Sequence, residues 1–363
     1  MMPEAVDFSP EWAAAPGLTI SHALEQRGMT YDELADALQR PRHFVFDLVA
    51  GREEITSELA EALARSVGST KRFWLARERN YRATLERLAG STPDLNAWVS
   101  ALPLQDMRRL GWIRQRSGSQ LIAECLQFFG VSSLAHWKQG FEAAVLTATF
   151  RSSAAYETRP ASLSAWLRQG EVQAASLKCE KWNSGKFREC LRSIRNLTRQ
   201  KSPNQFVPAL QRMCSRVGVA VVVVQAPDGC RASGAARFIS SDRALIQLSR
   251  RYGTDDQFWF TFFHEAGHLL LHPKADLFVD EEYSNDTREE VEANAFAQEV
   301  LLDKAQREEL KRLPLTYRAV IRFARRVDLA PGVIVGQLQH SKAAGYERLN
   351  KAKRRLDWST FND

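Results

Sequence analysis

Phe262-Phe263-His264-Glu265-Ala266-Gly267-His268-Leu269-Leu270 sets two histidines four residues apart in an aromatic and aliphatic run. On a helix that spacing separates them by ~6 Å along the axis and puts both on one face. Two imidazoles so placed can converge on one Zn2+ at ~2.0–2.1 Å from each nitrogen. Glu265, beside the first histidine, can reach a water activated by the ion without displacing it. Two neutral ligands with an adjacent carboxylate are what metal-assisted peptide hydrolysis requires. The ion lowers the pKa of its water toward ~7 and polarises the scissile carbonyl, while the carboxylate accepts and returns the proton. A lone HExxH arises by chance, but the chain has seven histidines, and His264, His268 and His272 fall within nine residues. That density favours a metal site over a packing feature.

A catalytic ion needs a third protein ligand and an open position. His272 lies a turn further on and is followed by Pro273, which reads as helix-end packing. The carboxylates Glu281, Glu282, Glu289, Glu290 and Glu292 are the other candidates. Glu289-Glu290-Val291-Glu292-Ala293-Asn294-Ala295-Phe296-Ala297 has a helical pattern, with Val291, Ala295 and Phe296 expected toward the core. Glu292 stands in the run of small residues (Ala293, Ala295, Ala297) that lets two helices approach closely. That neighbourhood suits a ligand better than a solvated face.

Upstream of the histidines, Val217 to Val224 is a β-branched run of the length of a buried strand, ended by Pro227-Asp228-Gly229. Ala235 to Ile239 and Arg243 to Leu248 read as two more strands, after which helix is expected to the C-terminus. From Leu18 to about Leu88 the chain reads as short amphipathic helices punctuated by Gly28, Pro41, Gly51 and Gly68. A break at Gly90 to Asp94 precedes a helical stretch ending near Gln200. The expected fold is therefore multidomain and mainly α, with an α+β C-terminal domain. The boundaries are 15–90, 94–200 and 205–363, the last ending in a helical extension.

Composition narrows the classes further. The 363 residues are 44% hydrophobic and 26% charged, which excludes collagenous, low-complexity and wholly disordered chains. No apolar run approaches membrane-spanning length, and no secretory leader pattern opens the chain. The five cysteines are odd in number with no paired spacing, which argues for a reducing compartment and a cytoplasmic location. The net charge of +7 is concentrated in residues 91–205, which carry +8, while residues 1–90 carry −3. Arg188, Arg192, Arg195 and Arg199 make one face of a helix opposite Leu191, Ile194 and Leu197. That face is either simply solvated or a site for phosphate, from DNA or a smaller ligand.

Thr30 with Glu33 forms a capping-box pattern before Leu34, Ala35 and Leu38. Gln39-Arg40-Pro41 then leads to a second short helix, Arg42 to Val49, stopped by Gly51. Such a pair is either a helical hairpin that packs on itself or a helix-turn-helix whose second helix enters the major groove. In the latter, Arg40, Arg42, His43 and Arg52 are the candidate DNA contacts.

Two resemblances add to this. Gly51-Arg52-Glu53-Glu54-Ile55-Thr56, with Ala60, Leu63, Phe73-Trp74 and Asn80-Tyr81, resembles the helix-turn-helix of HigA-type antitoxins of the Xre family over residues 15–85, a type that implies a homodimer. The run Asp255 to His268, followed by Glu292-Ala293-Asn294-Ala295-Phe296-Ala297 and Val300-Leu301-Leu302, resembles the ImmA/IrrE metallopeptidases over residues 205–305. That resemblance implies a minimal gluzincin-like (zincin-like) domain with His264, His268 and Glu292 as zinc ligands and Glu265 as general base. It implies a protein substrate, a transcriptional repressor cleaved to switch genes in a stress response. It also suggests an edge strand that pairs with the substrate, for which Ala244-Leu245-Ile246-Gln247-Leu248 is the candidate, a buried strand without that role being the alternative. Tyr252 is the candidate oxyanion stabiliser. Asp303 stands where the family often has Pro. Phe296 occupies the position where larger gluzincins carry an Asp, four residues past the expected ligand. The competing function is a HigA-like antitoxin or repressor whose metal domain senses a ligand or partner. Glu265 favours the enzyme, because a sensor needs the ligands but has no use for the carboxylate between them.

Overall fold

In the computed structural model, residues 15–49, 51, 53–89, 93–131, 133–142, 158–251, 253–273, 277–281, 287–359 and 361 are described. They fall into two compact units, Met1–Ala143 and Ala144–Asp363. The stretch 94–200, read from sequence as one helical middle region, is thus divided between them.

The first unit is helical. Pro16–Arg27 (α1), Tyr31–Leu38 (α2), Arg42–Val49 (α3), Ser57–Ser66 (α4) and Lys71–Ala89 (α5) come first, and further helices follow between Pro93 and Trp137. The Thr30–Glu33 capping box forms in full: the Glu33 amide donates to Thr30 Oγ1 and the Thr30 amide to Glu33 Oε2. Gln39 ends α2 in the left-handed region at φ 52°, a turn made without glycine. Ile20, Leu34, Val45, Leu48, Leu63 and Trp74 close the core of these five helices.

The second unit is built on a four-stranded sheet in the order β1-β3-β2-β4. Its strands are Val219–Val224 (β1), Ala232–Ser240 (β2), Arg243–Ser249 (β3) and Phe278–Glu281 (β4). β1 and β3 run parallel, while β2 is antiparallel to both β3 and β4. All six residues of β1 are buried because helices cover both faces, the condition under which a strand reads as unbroken hydrophobic sequence. On one face lies the helix Pro160–Ala175, where the Trp166 indole donates to the Val224 carbonyl and the Gln247 amide to the Trp166 carbonyl. On the other, Val219, Val221, Val223, Ile246, Leu248 and Ala236 share a core with the helices Ser184–Ile194, Pro203–Ser215 and Asp255–Leu271. Asp255–Leu271 is hereafter the histidine helix.

One strand expectation is corrected, and of the two readings left open for β3 the buried one holds. Helix does not hold unbroken from the histidines to the C-terminus, because β4 follows the histidine helix. Nor is β3, with Ala244 to Leu248, an edge strand: β1 and β2 take up both of its hydrogen-bonding sides, leaving no backbone groups for an added peptide. The sheet's edges are β1 and β4.

Candidate metal centre

The histidine helix starts where its sequence says it should. Asp255 and Asp256 occupy the first turn, where carboxylates complement the exposed amides of a helix N-terminus. The end of the chain returns to clamp them. The Arg354 amide donates to Asp255 Oδ1 at 2.9 Å, and Lys353 Nζ lies 2.7 Å from Asp256 Oδ2. Phe258, Trp259, Phe262, Phe263 and Ala266 anchor the helix in the core, so His264, Glu265 and His268 are themselves buried.

Its partner is the helix Arg288–Leu301, capped by the Thr287 hydroxyl. Gly267 makes the close approach possible. A Cβ there would lie 3.2 Å from Ala293 Cα and 3.1 Å from the Phe296 ring. Glu290, Ala293, Phe296, Ala297 and Leu301 form the buried stripe, at steps of three and four. This arithmetic decides the third donor. Glu290 lies on the stripe one turn before Ala293, and its carboxylate reaches both imidazoles: Oε2 is 3.0 Å from His264 Nε2 and Oε1 is 3.4 Å from His268 Nε2.

Glu292, the expected ligand, lies off the stripe and does not join them. Its carboxylate accepts from Arg288 Nε at 2.6 Å and lies 3.0 Å from His272 Nε2. Val291, expected in the core, is 56% exposed, and Ala295 is exposed as well. Sequence reasoning ranked Glu292 by its small neighbours without counting which face they occupy. The 290–293–297–301 spacing carried the answer.

The donor set fits a divalent metal. His264 Nε2 and His268 Nε2 are 2.9 Å apart, and donor atoms of these two residues and Glu290 all lie within 4.8 Å of one another. Donors held ~2.0–2.1 Å from a common tetrahedral centre would be separated by about 3.4 Å, close to the spacings seen. Protonation agrees. Burial pulls His268 down to about 4, which leaves the ring neutral at pH 7. Burial works to raise Glu290, but its hydrogen bonds with His264 and His268 outweigh it and bring the carboxyl to about 2. Asn294 Oδ1 lies 3.0 Å from His264 Nδ1. The amide oxygen can only accept, so it takes a proton from Nδ1 and leaves Nε2, the atom facing Glu290, for a metal to occupy in place of that contact. Asn294 stands four residues past Glu290, and so supplies the outer partner that counting from Glu292 had left missing.

Glu265, next to His264 in the chain, is fully buried with β2 packed directly on it. A Cβ at Gly234 would come within 2.4 Å of Glu265 Oε1 and 2.7 Å of Thr261 Cγ2. Phe260 lies between His264 and His340, with ring centroids 6.4 and 5.0 Å away. His340, at the end of the helix Pro331–His340, was read from sequence as part of the helical extension. Tyr252 and Glu282 lie outside the described residues, as does the side chain of Glu281.

In the first unit, Arg40, Arg42 and His43 are exposed around the start of α3. Arg42 pairs with Asp32 at 2.6 Å, and Arg40 stacks on Phe44. Arg52 lies outside the described residues. Of the basic face, Arg188 lies over the Phe296 ring, Arg195 donates to the Val327 carbonyl and Arg199 pairs with Asp328. Arg192 is exposed. Three of these four side chains thus have contacts within the second unit, while Arg188, Arg192 and Arg199 remain exposed.

Sheet, buried histidine pair and converging carboxylate are compatible with an α+β peptidase domain. Residues 217–335 match the family model described as the IrrE N-terminal-like domain, Peptidase_M78, which supports an ImmA/IrrE-type domain in this chain. No curated protein and no solved structure matches it. Among the described residues, no helix is long and apolar enough to cross a membrane.

Proposed function

We propose that the protein is a zinc-dependent endopeptidase that cleaves a protein partner, a transcriptional repressor, and so switches gene expression. The observation that carries this reading is the buried convergence of His264, His268 and Glu290, with Glu265 buried next to His264 on the same helix. His264, His268 and Glu290 would hold the zinc, which when bound supplies Lewis acidity toward a peptide carbonyl and toward water. Glu265 takes a proton from the attacking water and delivers it to the leaving amine. Asn294 keeps the His264 lone pair aimed at the ligand position. The aromatic packing of the histidine helix keeps bulk water from the centre, which strengthens each of these interactions.

The N-terminal unit serves in this reading as a helix-turn-helix that brings the peptidase to DNA. Arg40, Arg42 and His43, exposed at the start of the second helix of the pair, are its candidate contacts. Glu265→Gln tests the enzyme. Zinc content, read by mass spectrometry, should match that of the parent. Cleavage of the repressor encoded nearest the gene, followed on co-expression, should fall ~10²–10⁴-fold, the usual contribution of general acid–base catalysis. If the variant cleaves as fast as the parent, Glu265 is not the base.

A further inference from the structure

His272 ends the histidine helix as its C-cap, and its ring bridges the centre to the surface. His272 Nδ1 is 3.3 Å from His268 Nδ1, and His272 Nε2 is 3.0 Å from Glu292 Oε2. The other Glu292 oxygen takes the Arg288 guanidinium. The His272 side chain is 11% exposed and that of Glu292 39%, so burial decreases stepwise away from His268.

The row can pass hydrogen bonds in one direction, from His268 through His272 to Glu292. An ionised carboxylate only accepts, so His272 Nε2 carries the proton facing Glu292. With a metal on its Nε2, His268 carries its proton on Nδ1. His272 Nδ1, 3.3 Å away, is then the acceptor of that proton, and its own proton lies on Nε2 toward Glu292. His268 Nε2 is the atom turned toward His264 Nε2 and Glu290.

We propose that Glu292 and His272 form a two-step hydrogen-bond relay that sets the tautomer of His268 and aims its Nε2 lone pair at the metal position. Both are positioning residues, and the inference rests on the metal-centre reading above. Asn294 does for His264 in one step what Glu292 and His272 do for His268 in two. His272 is not itself a ligand here, since both its nitrogens are engaged and its Nδ1 meets the outward nitrogen of His268. Helix-end packing alone would place no nitrogen-to-nitrogen contact in line with a carboxylate.

The test uses the full chain and zinc itself. Affinity is read by competition against a chromophoric chelator for the parent, His272→Leu, Glu292→Leu, Glu292→Gln and His264→Ala. Long-range proton–nitrogen correlation on histidine-labelled parent protein reports which nitrogen of each ring holds the proton. His272→Leu and Glu292→Leu should bind zinc ~10–100-fold more weakly, the usual effect of losing an outer-shell partner. Glu292→Gln, whose amide oxygen still accepts, should stay near the parent. His268 should carry its proton on Nδ1. Because Glu292 is partly exposed, Glu292→Leu carries the test even if His272→Leu fails to fold. Parent-like affinity in both leucine variants, or a proton on His268 Nε2, overturns the relay while leaving the metal centre standing. A parent that takes up no zinc, or a His264→Ala variant that binds as tightly as the parent, overturns both.

Discussion

Glu290 and Glu292 are two residues apart, and at 100° per residue their side chains leave the helix about 200° apart. This angle separates a carboxylate facing two imidazoles from one facing His272 and Arg288. Glu290→Gln should therefore cost more zinc affinity than the ~10–100-fold expected of an outer partner, while Glu292→Gln should cost little; chelator competition on the two variants reads the difference. Equal losses would restore Glu292 to the ligand set. Acid should act on the same residues. In the metal-free protein the folded His268 holds its proton only below about 4, whereas an unfolded histidine takes one near 6.5. Over that interval the unfolded state binds more protons, so stability falls as pH drops from about 6.5 toward 4. Glu290, lowered to about 2 by its histidine hydrogen bonds despite burial, extends the loss below pH 4.5. Thermal melts of metal-free parent and His268→Gln should diverge in slope across pH 4–6.5. Parallel curves would mean that His268 is not held neutral by burial.

At the scale of elements, what the sequence disclosed and what it hid have separate physical causes. β1 was legible because six β-branched or small residues buried on both faces leave an unbroken apolar run. The α2–α3 pair was legible because capping and turn residues act locally. The histidine helix was legible because metal chemistry demands a fixed spacing. β4 was not, since four residues carry too little periodicity to register, and β3 was left open between edge and buried strand because strand order depends on contacts between distant segments. The packing of β2 on Glu265 was hidden for the same reason: nothing near Gly234 in sequence announces the glutamate 31 positions later. Gly234→Ala tests that packing. The new methyl group would meet Glu265 Oε1, Glu265 Cγ and Thr261 Cγ2, and the carboxylate must move. Misplacing a reacting group by about 1 Å can cost 10²-fold in rate. Peptidase turnover should fall by about that factor while zinc content stays at the parental level. Turnover unchanged would show that the site has room for Glu265 to work from a shifted position.

Across the molecule, the described residues that pack around the metal centre belong to the second unit. The core enclosing it runs from Phe187 on the helix Ser184–Ile194 to Leu356, with Trp358 and Phe361 packed against it. This core extends beyond the family match at 217–335 on both sides. Lys353 and Arg354, from the far end of the chain, hold the first turn of the histidine helix, and Arg195 and Arg199 tie the basic face to Val327 and Asp328. The candidate DNA contacts Arg40, Arg42 and His43 belong to the other unit, whose helices close over a core of their own. Each function should therefore be separable. A chain lacking residues 1–143 should hold zinc with the affinity of the parent. Charge reversal at Arg40 and Arg42 in the full chain should weaken DNA retention, and its dependence on salt, without changing zinc content. Cutting at residue 335, at the end of the family match, should by contrast remove Leu338, Leu356 and the Lys353–Arg354 clamp. Losing that clamp leaves Asp256, buried beneath Lys353, without its charge partner, a loss that costs ~3–5 kcal/mol when a buried pair is broken. That shorter chain should melt at a markedly lower temperature and lose zinc with it. If it instead folds and binds zinc like the parent, the returning C-terminal segment is not part of what holds the centre.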